Sequence, residues 1–385
     1  MSGILGFRRA DGRVGTRNHL LVLSVTGLTG PTGRRIASLL HGAIYAGTPY
    51  GSGLLGEDGA AHRRALAGFA SHPNVGAALI VGADQGAVEH AAAAAERAGT
   101  PVEAFVFDHV GHDALTLTDS AVRAGAGLLK RLSRLRREPV SLSALTLGLE
   151  CGRSDPSSGL AANPLLGAAA DRVADAGGQA IVGETVEWLG AEDRLVARAE
   201  KPGLGEALCA AVTRRERLAI DAGVDLTGTN PSRTNIEGGL STIEEKSLGA
   251  VAKAGTGPIA GLVAYAERPN GAGRWLMDAP AYAPESVTGF VAAGANLVLF
   301  TTGVGNSFGS RLAPTIKVTA NAATADRLAT QIDLSAAPVA QGIETLDQAA
   351  DRLMEEIEAV ASGALTFAEI FGDGEETISR FGEAL

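Results

Sequence analysis

The sequence predicts an α/β protein of two lobes, each built on a mainly parallel sheet. Three observations predict it. Short apolar runs alternate with longer Ala/Arg/Leu stretches of helical period, the rhythm of buried strand-helix-strand units. A chain of 385 residues exceeds one small core and suits two or three lobes. Its 51 glycines, abundant alanine and only 4% aromatic residues favour close packing of helices on strands over an aromatic binding face.

Taken in order, Leu20-Leu21-Val22-Leu23, Ala78-Leu79-Ile80-Val81 and Glu103-Ala104-Phe105-Val106-Phe107 read as strands of the first lobe. Ala60 to Ser71 and Ala87 to Ala98 read as helices on either side of the second strand, and Ser120 to Arg137 as a long helix. Basic residues crowd Lys130 to Arg137 and Pro139 follows at once, which stops a helix and begins an extended segment. The lobe boundary is placed there, giving an N-terminal lobe over 1–138 and a C-terminal lobe over 139–385. The second series reads as strand Leu145 to Leu149, helix Pro164 to Ala176, strand Ala180 to Val182, and helices from Glu192 and Gly205. Leu297 to Phe300 and Thr315 to Val318 then read as buried strands, and Leu346 to Val360 as an amphipathic helix.

With 33 basic and 43 acidic residues the net charge is −10, which argues against a nucleic-acid surface, since that needs a basic footprint to displace phosphate counterions. The two cysteines, Cys151 and Cys209, lie far apart and imply no disulfide framework. No run of about eighteen apolar residues marks a membrane span, and Met1 to Arg9 lacks the apolar stretch of a signal peptide. A cytoplasmic protein without membrane or nucleic-acid partners is expected.

Four glycine-punctuated loops carry the polar chemistry. In Asp11 to His19, Arg13 and Arg17 can fork a carboxylate beside Asn18, or the segment is a hairpin with solvated arginines. Glu150-Cys151-Gly152-Arg153-Ser154-Asp155 follows a strand, where α/β folds place their sites, and Asn163-Pro164 reads as the next helix start. Its competing reading is a buried Cys151 and a capping Asp155. Asn230, Ser232, Arg233, Asn235, Gly238 and Gly239 precede a helix whose Thr242 and Glu245 have capping-box spacing, so a positive helix end faces the glycine turn. Thr301 to Gly309 lacks the spacing of a dinucleotide fingerprint but can present backbone N–H groups and Thr302 to a ligand oxygen; Lys317 beyond it completes that loop or is an edge or structural lysine. His109 and His112 stand in a loop without further metal ligands. Glu184 and Glu187, just past a strand end, are acid/base candidates or helix caps.

Together these loops resemble one family, the altronate and galactarate dehydratases, which includes the large subunit of sulfolactate sulfo-lyase. The likeness rests on Gly6-Phe7 with Asp11 to Asn18, Cys151-Gly152 with Ser154-Asp155, Ser158-Gly159 and Ala162-Asn163-Pro164. It continues through Glu184, Glu187, Gly190-Ala191-Glu192, Asn230-Pro231-Ser232, Gly238-Gly239, Glu245 to Gly249, and Pro314 to Val318 with Asn321. The resemblance implies a hydro-lyase performing β-elimination on a small hydroxylated carboxylate such as an aldonate, aldarate or 3-substituted lactate. It also implies iron or another divalent metal. Members carry further cysteines where this chain has Gly27, Ser52, Gln85 and Ala250, and a histidine near Thr48 or Tyr50. This chain shows Glu150, Arg153, Arg233 and Val304 where members commonly carry lysine, glycine, proline and arginine.

Whether a metal is bound therefore stays open: Arg153 and Arg233 are read as guanidinium groups that replace its charge, giving a metal-independent lyase or an altered substrate. Arginine is a poor base, so the base is sought among Lys246, Glu184, Glu187 and His19. Family members carry a small domain ahead of this region or a separate small subunit, so a small partner is expected, together with a homo-oligomer. The competing functions are a silent sugar-acid-binding paralogue and a lyase releasing sulfite or an amine.

Overall fold

The computed structural model describes residues 3–226, 230–380 and 382. Strands β1 (Gly3–Arg8) and β2 (Val14–Gly15) form an antiparallel hairpin. Strands β3 (His19–Ser24), β4 (Ala43–Gly47), β5 (Val75–Gly82) and β6 (Val102–Val106) form a parallel sheet in the order β4-β3-β5-β6. β7 (Glu138–Ser141) returns antiparallel to β1. Then β8 (Thr146–Cys151), β9 (Gln179–Val182), β10 (Ile259–Val263), β11 (Gly273–Met277), β12 (Leu297–Thr301), β13 (Thr315–Thr319) and β14 (Leu334–Ser335) build a seven-stranded sheet. Every pair in it is parallel, in the order β10-β11-β9-β8-β12-β13-β14. The α/β class with mainly parallel sheets is what the sequence predicts.

The buried runs explain the layers. In β3, Leu20 and Val22 face the helices Gly30–Leu39 and Ala114–Leu132, while Leu21 and Leu23 face Gly56–Ala70 and Gln85–Arg97. Successive side chains of a strand point to opposite faces, so only a run apolar at every position can be covered on both. The second of those cores does not end with the first sheet, because it also takes in Val287, Phe290 and Val291 of helix Ala283–Ala292. Gly68 makes this approach feasible: a Cβ there would run into the Ala292 carbonyl. Beside it lies a polar staple. Asn74 donates from Nδ2 to the carbonyls of Asn296 (3.1 Å) and Leu312 (2.8 Å), and Asn296 donates to Val14 and Ala144.

Several expectations about individual elements change. β8 does not stop at Leu149 but continues through Glu150 and Cys151, paired with Phe300 and Thr301 of β12. Asn163 is not an N-cap, because a π-helical turn over Ser158–Ala162 runs directly into helix Asn163–Asp175. Its amide instead accepts from Thr301 Oγ1 at 2.5 Å and donates to Gly249 O at 3.0 Å. Lys317 is not at an edge, since β13 lies between β12 and β14. The sequence reading missed β10 and β11, where Gly261 interrupts one apolar run and Arg274 the other.

The chain leaves β8 for β9 on one side and reaches β12 on the other, which creates a topological switch point at the carboxyl end of β8. Open parallel sheets leave a crevice at such points, and ligands bind there.

Candidate active site

Glu150 and Cys151 close β8 at this switch point, both buried. Glu184 follows β9 in left-handed backbone, φ 62°, and the chain then turns tightly so that Glu187 N donates to Glu184 O at 2.7 Å. That 3-10 turn, Thr185–Trp188, swings Glu187 back over the strand ends. Opposite them runs helix Ile243–Val251, whose first turn is capped by Thr242 Oγ1 accepting from Glu245 N at 3.1 Å. The reciprocal bond expected of a capping box is shifted by one residue, since Glu245 Oε2 accepts from Ser241 N. The helix passes into a 3-10 turn over Ala252–Ala254, so Lys246 and Lys253, seven residues apart, project from one side.

Two lysines, three glutamates, Cys151 and Asn230 meet here. Lys246 Nζ lies 2.6 Å from Glu187 Oε1 and donates to Asn230 Oδ1 at 2.7 Å. Lys253 Nζ lies 2.8 Å from Cys151 Sγ, 3.8 Å from both Glu150 Oε1 and Glu184 Oε2, and 4.0 Å from Glu187 Oε2. Lys253 is 1% exposed. Glu150 Oε1 also accepts from Cys151 N at 2.8 Å, whereas Glu150 Oε2 and Glu184 Oε2 have no hydrogen-bond partner among the described residues.

This crowding separates the protonation states. Burial, reinforced by the charges of Glu150 and Glu187, pushes Glu184 well above the usual carboxyl range, so it holds its proton. Glu187 is buried as deeply, yet the ammonium groups of Lys246 and Lys253 hold it down to about 2. Burial would lower both lysines, but Glu187 and Glu184 raise Lys246, and Cys151 with the surrounding carboxylates raises Lys253. Burial raises the Cys151 thiol against the pull of Lys253. Two adjacent carboxyl groups with opposite states are the arrangement from which an acid and a base are drawn.

Above the cluster opens a cavity of about 640 Å³. Cys151, Glu184, Glu187 and Lys246 form its floor, with Arg153, Ser154, Asn230, Ser232, Asn235, Asn306, Phe308 and Tyr282 around them. Lys253 and Glu150 lie behind that floor, outside the lining. Arg153 is held in left-handed backbone, φ 55°, with its carbonyl accepting from the N–H groups of Gly303 and Val304 at 3.2 Å, which locks two loops together, and its exposed side chain lines the cavity.

Of the residues singled out from sequence, this cavity unites Cys151, Arg153, Ser154, Glu184, Glu187, Asn230, Ser232, Asn235 and Lys246. The others lie elsewhere. Arg233 points into solvent, 91% exposed and paired with Glu237, so its guanidinium does not stand in for a metal. Asp155 caps the turn through Ser157 and Ser158 and accepts from Asn321 Nδ2 at 2.8 Å, as its competing reading had it. Gly239 takes φ 110° beside Pro156, Gly238 lies outside the lining, and Thr302 Oγ1 accepts from Gly305 N. Lys317 is buried, donates to the Phe308 carbonyl and sits 5.0 Å over the Phe300 ring, which anchors the cavity wall from behind.

The segment Arg13 to His19 is a hairpin arm, and it reaches other parts of the molecule. Arg17 pairs with Glu369 at 2.6 Å and donates to the Val360 and Ala364 carbonyls, which ties down the C-terminal helices. Arg13 pairs with Asp11 and donates to Ser71 O, and Asn18 accepts from Arg9 and donates to Leu132 O. His19 is pushed down to about 4 by burial and Arg17. None of the four lines the cavity over Cys151. Lys253 and Tyr282 were missed, and Glu150, Asn306 and Phe308 were read as members of site loops without a role of their own; the signal for Lys253 was its spacing from Lys246, masked by the Ala/Val run around it.

Glu150, Cys151 and Glu184 offer ligand atoms within 4.8 Å of one another, but the Lys253 ammonium already stands within 4.0 Å of all three. A dication bonded to those atoms would share the space with a like charge, so the residues present do not fit a metal there. The positions Gly27, Thr48, Tyr50, Ser52 and Gln85 belong to the carboxyl end of the first sheet, where Gly27 N donates to Tyr50 O at 2.7 Å, and they do not line this cavity.

Residues 142–384 match the family model described as D-galactarate/altronate dehydratase, C-terminal, and residues 6–157 that of the D-galactarate dehydratase/altronate hydrolase second domain. The chain belongs to the D-galactarate/altronate dehydratase family. Among relatives, the (2R)-sulfolactate sulfo-lyase subunit beta of Chromohalobacter salexigens is 35% identical over 99% of this chain and 98% of its own length. The altronate dehydratase of Escherichia coli is 31% identical over 94% of this chain and 74% of itself. The galactarate dehydratase (L-threo-forming) of the same organism is 31% identical over 69% of this chain and half of its own length, 50%. Membership in this family agrees with the resemblance drawn from the loops, and the cavity over Cys151 is built from those same motifs.

Proposed function

We propose that the chain is a lyase that eliminates a group from C3 of a small 2-hydroxycarboxylate, most directly water from an aldonate or aldarate. The observation that carries this reading is the Glu187–Lys246 ion pair at 2.6 Å on one cavity floor with Glu184, whose burial beside Glu150 and Glu187 favours its protonated form. Lys246 and Arg153 supply the positive charge that a carboxylate needs, and the amides of Asn230 and Asn306 suit hydroxyl groups.

In the elimination, Lys246 turns from Glu187 to the substrate carboxylate. Glu187 then loses the neighbour that holds its pKa down and becomes the base that takes the C2 proton. Electrons pass into the C2–C3 bond, the C3–O bond breaks, and Glu184 gives its proton to the departing hydroxyl, which leaves as water. The enol product tautomerises to a 2-keto acid. Charge that grows on the carboxylate in the enediolate-like transition state meets Lys246 and Arg153, which stabilise it more than the ground state.

A second reading has sulfite as the leaving group. It is favoured by the end-to-end correspondence with a sulfo-lyase subunit, and the C2 chemistry is unchanged while the C3–S bond breaks. The name of that relative also supports a separate small partner subunit for this chain. Assay of 2-keto acid formation on a panel of aldonates, aldarates, 3-sulfo- and 3-amino-2-hydroxy acids tests the function. Turnover with release of sulfite would select the second reading, and micromolar aldonate binding without turnover would leave a silent binding protein. Absence of any small co-eluting protein on purification from the native cell would count against the partner.

A further inference from the structure

We propose that Lys253 is the resident cation of the buried Glu150–Cys151–Glu184 cluster, and that its ammonium keeps a divalent metal out of a site otherwise supplied with metal-binding donors. This goes beyond the elimination reading and does not rest on it.

Buried charged groups persist when they are paired or when they coordinate metals. This cluster has the material for either arrangement. Thiol and carboxylate donors from two strand ends converge within 4.8 Å, and both Glu150 Oε2 and Glu184 Oε2 are sealed from solvent with no hydrogen-bond partner among the described residues. A thiolate with two carboxylates is a donor set that zinc, cobalt or ferrous iron accepts. Lys253 decides between the alternatives. It reaches the donors from behind the cavity floor, on the turn that continues the Lys246 helix, and it is the one cation within 4.0 Å of Glu150, Cys151 and Glu184 together among the described residues. Lys246 is engaged by Glu187 and Asn230 on the cavity side.

An ammonium differs from a metal in what it offers the reaction. It donates protons in hydrogen bonds, accepts no substrate oxygen into a coordination shell, and lies outside the cavity lining. Lys253 therefore acts as a positioning residue: it fixes the side chains of the floor and balances their charge without touching the substrate.

Anaerobic titration of purified full chain with cobalt(II) chloride tests this, because a thiolate bound to cobalt gives a charge-transfer band in the near ultraviolet. The native protein is expected to show no such band. Lys253→Met is expected to gain it and saturate at stoichiometric cobalt, and Lys253→Met with Cys151→Ser to lose it. A band in the native protein overturns the proposal, as does a folded Lys253→Met without one. Should Lys253→Met fail to fold, the iron and zinc contents of native and Cys151→Ser protein from metal-supplemented cells decide the question. Equal contents support the resident ammonium; stoichiometric metal that disappears with the thiol overturns it.

Discussion

Glu184 and Glu187 stand three positions apart on one turn, and their opposite shifts give opposite pH dependences of stability. Glu187 binds its proton less tightly in the folded state, about 2 against 4.5 unfolded, so its contribution is present above pH 4.5 and is lost as pH falls toward 2. Glu184 binds its proton more tightly when folded, so above pH 4.5 the folded state holds the extra proton and stability declines as pH rises. Glu184→Gln should therefore raise Tm at pH 8 and lose that advantage as pH approaches 4.5, which a pH series of thermal melts would show. The same substitution removes the proposed acid, and kcat on an accepted substrate should fall about 10²–10⁴-fold. In the native enzyme kcat should decline on the alkaline side as Glu184 loses its proton. A Glu184→Gln enzyme with undiminished kcat would remove Glu184 from the mechanism. Glu187→Gln should flatten the acid limb of stability, measured by denaturant titration between pH 5 and about 2.

At the scale of elements, the segment that carries Arg13, Arg17 and Asn18 looked from sequence like a carboxylate fork and serves as a clamp. Arg17 meets Glu369 through one guanidinium edge, Nε to Oε1 and Nη2 to Oε2, and also donates from Nη1 to the Val360 carbonyl at the end of helix Leu346–Ala361. Removing one partner of a buried pair leaves the other uncompensated, so Arg17→Ala should cost about 3–5 kcal/mol in urea unfolding. Residual activity should retain its KM; a large rise in KM at unchanged stability would return Arg17 to the substrate. The local pattern showed that these arginines were specified by something, since two guanidinium groups in a glycine turn need acceptors. It did not show which, because the C-terminal acceptors of Arg17 lie 343 to 352 residues away in the chain and the Ser71 carbonyl that Arg13 reaches lies 58 away. By contrast Cys151, Glu184 and Lys246 were legible, being polar residues at strand ends or at a capped helix start. Lys253 was not, because a lysine in Val251-Ala252-Lys253-Ala254 has the surroundings of core sequence and its partners come from two other strands.

For the whole molecule, the alternation of strands and helices revealed the class but not how the sheets share their cores. Phe69, Ala65 and Ile80 from the first sheet layer pack in one cluster with Val287, Phe290 and Phe300 from the second. Asn74 and Asn296 add hydrogen bonds across the same boundary. The N-terminal lobe proposed over 1–138 would expose that apolar face if made alone. It should show no cooperative unfolding by circular dichroism, whereas the full chain should unfold in one transition; a fragment with its own sharp melt would show an independent domain.

The left-handed backbone at Glu184 bears on how this site responds to randomisation. Glycine, asparagine and aspartate adopt φ near 62° with less strain than glutamate does. A saturation library at position 184, sorted first for folded protein and then for turnover, should give two opposed rankings: those three residues enriched in the first sort, and glutamate alone recovered in the second.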